Sequence, residues 1–260
     1  MSSSSTSVNS SRQYSEGSLD PEAILSELAP NTRRANPSAS AQFWPSSSPA
    51  SLYAFLIFVL PCNIQSDTLQ ELIHYFKYAS SAYTPVCPRP NRAHLVTHFS
   101  NPVTDIQGFV ARDNERKEII IAFRGSASVA DILLDSQIIL VPFLTPGIIA
   151  PHGIKVHSGF LIAWDSIAAS VFPIVISQLA LHPDIRRIIT VGHSLGGAIS
   201  TLAAMSIMIR QHEEGADVLR GREIKNYSYG APRAGNKTFA EFVNNHLGVN
   251  AYRVVHADDG

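Results

Sequence analysis

Sulfur is scarce in this chain and net charge is nearly absent. Its 260 residues include two cysteines, Cys62 and Cys87, enough for one bridge at most, so a disulfide framework and a multi-thiolate zinc site are both excluded. The formal net charge is -1, which leaves no global field to attract phosphate backbones and sets nucleic-acid binding aside. Long hydrophobic runs are missing too. The longest, over residues 52–60, stops at Pro61, well short of the roughly 20 residues that span a bilayer, and no integral membrane segment is expected. By length that run suits the apolar core of a secretory signal, with Arg33 and Arg34 upstream. A signal belongs at the very start of a chain, however, so a buried segment is the competing reading.

What is present divides in two. Residues 1–65 are dominated by serine, including Ser2 to Ser5 and Ser46 to Ser48, with little apolar periodicity. Such a tract buries too little surface to offset its ordering entropy and is expected to be disordered, apart from a brief helix over 19–28. Residues 66–260 read as one globular domain, in keeping with 45% hydrophobic residues and the usual size of an α/β unit.

Within that domain the pattern alternates. Ser66 and Asp67 form a capping pair followed by Gln70, and Leu69, Leu72, Ile73, Phe76 and Ala79 recur at helical spacing. Residues 108–110 and 118–123 are rich in β-branched and aromatic side chains and read as neighbouring strands around a turn at Asp113 and Asn114. A helix is predicted over 159–181, kinked or divided at Pro173. Residues 187–191 suit a buried parallel strand. A helix over 195–211, a strand over 224–229, a helix over 236–246 and a strand over 252–255 complete the series. The class is α/β, with a mostly parallel central sheet flanked by helices.

The chemistry is concentrated at Gly192-His193-Ser194-Leu195-Gly196-Gly197, between the strand and the helix. A G-x-S-x-G turn needs Gly192 and Gly196 because a sharp strand-to-helix elbow leaves no room for side chains there, and it sets Ser194 clear at the sheet edge. A serine at a helix N-terminus also has free N–H groups and the positive end of the helix dipole beside it. His193 adjoins the serine, but a neighbour on such a turn points elsewhere, so a structural role is expected for it. An ordinary glycine-rich turn is the bland alternative.

Four blocks resemble the fungal class 3 lipase family of α/β-hydrolases, which includes triacylglycerol lipases and feruloyl esterases. They are residues 122–126, 156–160 and 191–198, and Tyr227 through Pro232 with Arg233, Gly235 and Asn236, in family order. The resemblance implies an oxyanion hole formed by Ser126 and the N–H of Leu195. It also implies a hinged lid after Ser126, where Val129, Ile132 and Leu133 share a helical face opposite Asp131 and Asp135, followed by an apolar stretch over 138–143. Packing of that face onto the core is the other reading. His157 is expected to be structural. The acid is expected at Asp259, with Asp258 as the adjacent alternative.

The family order is serine, acid, histidine, and only Gly260 follows Asp259. His212, His246 and His256 sit at helix ends or just before the acid, so none fits as the base, and the domain is expected to lack its C-terminal part. The resemblance implies a secreted ester hydrolase that acts on lipids at a lipid-water interface, with no metal and no organic cofactor. A feruloyl-esterase-like enzyme and an inactive, truncated binding protein are the alternatives.

Overall fold

The computed structural model describes residues 66–125, 139–145, 148–213 and 215–255. The serine-rich segment, Cys62, Ser126, the lid residues Val129, Ile132 and Leu133, and Asp258 and Asp259 lie outside the described residues.

Helix α1 (Ser66–Ser81) opens the domain. Ser66 is already helical, and its hydroxyl bonds the Asp67 carboxylate at 3.2 Å. Three antiparallel neighbours follow, β1 (His94–Asn101), β2 (Ile106–Asp113) and β3 (Glu118–Phe123). Two small sheets come next, β4 (Leu140–Pro142) with β7 (Lys155–His157), and β5 (Leu144–Thr145) with β6 (Ile148–Ile149). Then come α2 (Ser158–Leu181), β8 (Arg187–His193), α3 (Leu195–Arg210), β9 (Glu223–Tyr229), α4 (Lys237–Leu247) and β10 (Ala251–Val254). The main sheet runs β1-β2-β3-β8-β9-β10. The pairs β3/β8, β8/β9 and β9/β10 are parallel, so the expected mostly parallel sheet is present.

The period of two along each strand divides its side chains between two covered faces. Ile119, Ile121, Phe123, Ile188 and Ile224 join α2, α3 and α4 in the main core. On the other face α1 packs over β8 and β9, with Tyr75 stacked on Tyr227 at 4.0 Å and the Tyr229 hydroxyl donating to the Leu72 carbonyl at 2.6 Å. All six residues of β3 are buried, and each large apolar side chain so placed contributes about 1.5–3 kcal/mol.

Two differences from the sequence reading have physical causes. Strand β1 was not anticipated, because only Phe99 along it is buried. An edge strand is held by its ladder rather than by a hydrophobic pattern. Helix α2 is not divided at Pro173 but runs unbroken through it. Proline removes one N–H and strands the carbonyl four residues earlier, here that of Ala169. Both residues are on the exposed side, where water takes the free carbonyl, while Trp164, Ile167, Val171, Val175 and Leu179 hold both halves in the core. By length and composition α2 would also span a membrane. That burial and the Trp164 indole bond to Ser206 at 2.9 Å make it a core helix here.

Candidate active site

The buried strand β8 delivers the chain to Ser194 at the carboxyl edge of the sheet, and α3 begins at the next residue. Ser194 has φ 56 and ψ -127, a conformation that costs an L-residue about 1–3 kcal/mol. It is held there by its N–H donating to the Tyr229 carbonyl at 2.8 Å and its own carbonyl accepting from the Gly197 N–H at 2.9 Å. The turn is therefore tied to β9 and to the helix it starts.

The glycines follow from crowding. A Cβ on Gly192 would lie 2.2 Å from the Gly196 carbonyl oxygen, and one on Gly196 would lie 2.4 Å from that of Phe123. Both separations are far inside van der Waals contact. Gly197 is just as constrained, since its Cβ would meet the Ala231 Cβ at 2.8 Å. The G-x-S-x-G pattern does not include that position, and its partner lies after β9.

With Leu195 as the first residue of α3, its N–H is one of the orphan donors of a helix N-terminus, and among the described residues it has no acceptor. Ser194 is half-buried, and none of the described side chains hydrogen-bonds its hydroxyl. The chain leaving β3 passes directly alongside: a Cβ on Gly125 would stand 3.2 Å from the Ser194 Cβ and 2.8 Å from the His193 carbonyl oxygen. The position after Gly125 is Ser126, beyond the described segment. Gly192, Ser194, Leu195 and Gly196 lie together at this turn.

His193 is half-buried, and desolvation pushes its pKa down to about 4. It is neutral at ordinary pH, and its Nδ1 lies 2.7 Å from the Tyr83 hydroxyl, so it is committed within the scaffold rather than poised as a base. His157 caps α2: its Nδ1 accepts the Gly159 N–H at 3.1 Å, and the ring stacks on Phe160 at 4.3 Å. Burial lowers its pKa as well.

The block ending at Asn236 has a definite task. The Asn236 side chain accepts from the N–H groups of Phe239 at 2.9 Å and Lys155 at 3.2 Å and donates to the Gly153 carbonyl at 2.9 Å. The His157 N–H donates to the Ala234 carbonyl at 2.9 Å. Two blocks distant in sequence are therefore one structural joint, capping α4 and anchoring β7.

Strand β10 is parallel to β9, and its Val254 carbonyl accepts from the Gly230 N–H at 2.8 Å. The chain leaving β10 toward Asp258 and Asp259 thus exits at the edge that carries Ser194. His212 and His246 lie at the far ends of α3 and α4. The His246 ring sits 4.2 Å from that of Phe242, and its Nδ1 lies 2.8 Å from the Phe242 carbonyl.

One cluster has the composition of a metal site: His74, Asp113 and Glu118 place ligand atoms within 4.8 Å of one another. Their partners argue against a cation. Glu118 accepts from Tyr75 at 2.8 Å and pairs with Arg187 at 2.7 Å, with the Arg116 guanidinium 3.9 Å away. Asp113 accepts from Tyr78 at 3.1 Å and from the N–H groups of Glu115 and Arg116 at 3.0 and 2.9 Å. Donors and guanidinium charge already engage Glu118 Oε1 and both Asp113 oxygens at the amino edge of the sheet, away from Ser194, while Glu118 Oε2 and His74 Nε2 are buried without a hydrogen-bond partner among the described residues.

A mostly parallel sheet with a strained serine at a strand-to-helix elbow on its carboxyl edge defines the α/β-hydrolase class. The family model for Lipase (class 3) matches residues 120–260, and the chain belongs to that family. It is 31% identical over 203 residues to a lipase of Rhizopus niveus, covering 74% of this chain and 49% of that one. It is 33% identical over 213 residues to secreted mono- and diacylglycerol lipase 1 of Fusarium solani, covering 76% and 59%. The chain thus spans about half the length of the curated relatives it matches. Among solved structures, the lipase of Rhizopus microsporus var. chinensis superposes with a TM-score of 0.63 at 30% identity, covering 74% of this chain and 67% of that one. Lipase II of Rhizopus niveus gives 0.64 at 30% identity, covering 74% and 73%.

Proposed function

We propose that this protein hydrolyses carboxylic esters of lipids through an acyl-enzyme on Ser194. The serine oxygen attacks the ester carbonyl, the Leu195 N–H and Ser126 receive the developing oxyanion, and the alcohol leaves. Water then attacks the acyl group and releases the acid. In the family order a histidine follows the acid; Asp259 would orient that histidine, which would take the serine proton and pass it to the leaving alcohol. The observation that carries this reading is the Ser194 backbone at φ 56 and ψ -127, with the N–H of Leu195 at the head of α3. A donor so placed gains strength as charge builds on the oxygen, and losing one typically costs about 10²- to 10³-fold in rate.

Apolar exposure supports a lipid substrate met at an interface. Ile139, Leu140 and Leu144 are exposed by 54%, 36% and 49%, and they follow directly on the proposed lid over Val129, Ile132 and Leu133. The Fusarium relative is named a secreted mono- and diacylglycerol lipase, which supports an extracellular enzyme of the same substrate class. The test is hydrolysis of emulsified mono-, di- and triacylglycerols alongside methyl ferulate, with Ser194→Ala as the control. Release of fatty acid that is lost in Ser194→Ala is expected. Turnover of the ferulate alone would replace the lipid assignment with an aromatic esterase.

A further inference from the structure

The Tyr83 hydroxyl touches the nucleophile elbow from just beyond α1. Tyr83 stands just past α1, held by its N–H donating to the Ser80 carbonyl at 3.1 Å. Helix α1 is itself fixed on the sheet through Tyr229, Tyr75 and Tyr227. The phenol is thus delivered on a rigid element. Its oxygen lies 2.7 Å from His193 Nδ1 and 2.3 Å from where a Cβ on Gly125 would stand. That one oxygen therefore abuts both the residue before the nucleophile and the residue before Ser126.

We propose that Tyr83 is a positioning residue, whose hydroxyl donates to His193 Nδ1 and braces Gly125, fixing the loop after β3 against the Ser194 turn. Both groups are neutral, because burial raises the phenol pKa and lowers that of the imidazole to about 4. Among the described residues the phenol's one hydrogen-bond partner is His193 Nδ1, and the phenol's proton is assigned to it. His193 then carries its hydrogen on Nε2, the nitrogen facing the loop after β9, where a Cβ on Gly230 would lie 3.7 Å away. An oxyanion donor acts only if it sits where the charge appears, and a displacement of about 1 Å costs on the order of 10²-fold in rate. Without the phenol oxygen, Gly125 loses that contact.

The inference rests on the hydrolase reading, and its test separates the two. The parent protein and Tyr83→Phe are compared on p-nitrophenyl butyrate, with thermal melts alongside. The tautomer of His193 in the parent is read by nitrogen NMR, assigned by the signal lost in His193→Gln. The expected result is a kcat about 10- to 100-fold lower in Tyr83→Phe with KM within about twofold, since a misplaced donor weakens the transition state and not the ground state. The parent is expected to show hydrogen on Nε2. His193→Asn, whose Oδ1 can accept where Nδ1 does, is expected to retain more kcat than His193→Leu. An unchanged kcat in Tyr83→Phe, or hydrogen on Nδ1 in the parent, overturns the positioning role while the hydrolase reading stands. A parent that hydrolyses no ester overturns the hydrolase reading and the positioning role with it. The tautomer measurement needs only the parent and His193→Gln, so it decides the bond even if Tyr83→Phe does not fold.

Discussion

Ser194 is held at a positive φ that favours glycine, by two backbone hydrogen bonds and by helix packing that leaves no room beside it. Replacing it with alanine keeps the backbone and removes the oxygen proposed to form the acyl bond. Hydrolysis is expected to fall by about 10⁶-fold with little change in the thermal melt, and titration of released fatty acid checks it. Gly196→Ala should do the reverse and damage the fold first. Its Cβ would lie 2.4 Å from the Phe123 carbonyl oxygen, an overpacking of backbone against backbone expected to cost at least about 1–3 kcal/mol in urea unfolding. Gly192, Ser194 and Gly196 were legible in the sequence because the elbow admits so few residue types. Gly197 and Tyr83 were not, because what constrains them, Ala231 and His193, is remote in the chain and no local pattern marks the contact.

Helices and strands show the same division between local signal and tertiary partner. The buried strands β3, β8 and β9 and the helices α3 and α4 fell within a residue or two of their expected bounds, since each carries an apolar period that matches its burial. Strand β1 carried none. The interior proline of α2 is expected from the sequence to kink or divide the helix, yet the helix runs on through it because the freed carbonyl faces water. Pro173→Ala restores the amide donor at that site and is expected to raise unfolding stability by roughly 1–3 kcal/mol. A loss measured in urea would mean that the ring itself packs. Asn236 works in the opposite sense. It caps α4 and holds the turn before β7, so Asn236→Ala is expected to cost at least about 1 kcal/mol, read as a lower urea midpoint with an unchanged m-value.

For the molecule as a whole, two half-buried histidines on the α1 side of the sheet link stability to pH. Desolvation first, and then for His74 the neighbouring Arg116 charge, lowers the pKa of both His74 and His193 from 6.5 to about 4. Above 6.5 both are neutral in the folded and unfolded chain and contribute no pH dependence. As pH falls from 6.5 toward 4, the unfolded chain takes up protons that the folded one refuses, so stability declines, by up to about 1.4 kcal/mol per pH unit for each group. Below about 4 the folded protein is protonated too and the decline from these groups levels off. Urea unfolding at pH 6.5, 5.5 and 4.5 is expected to show this slope, and His74→Gln is expected to reduce it. A slope unaltered by that change would assign the pH dependence to other groups.

The α/β class, the family blocks and the candidate nucleophile were all readable from residues in a row, while the joint between the block at His157 and the block at Asn236 emerged only from the folded chain. The central claim is that Ser194 is an activated nucleophile, and reaction with a fluorophosphonate followed by peptide mass spectrometry tests it most directly. The expected result is one covalent adduct, on Ser194, that is absent from Ser194→Ala and from protein unfolded in urea. An intact, folded protein that acquires no adduct, or acquires it on another residue, would contradict the account.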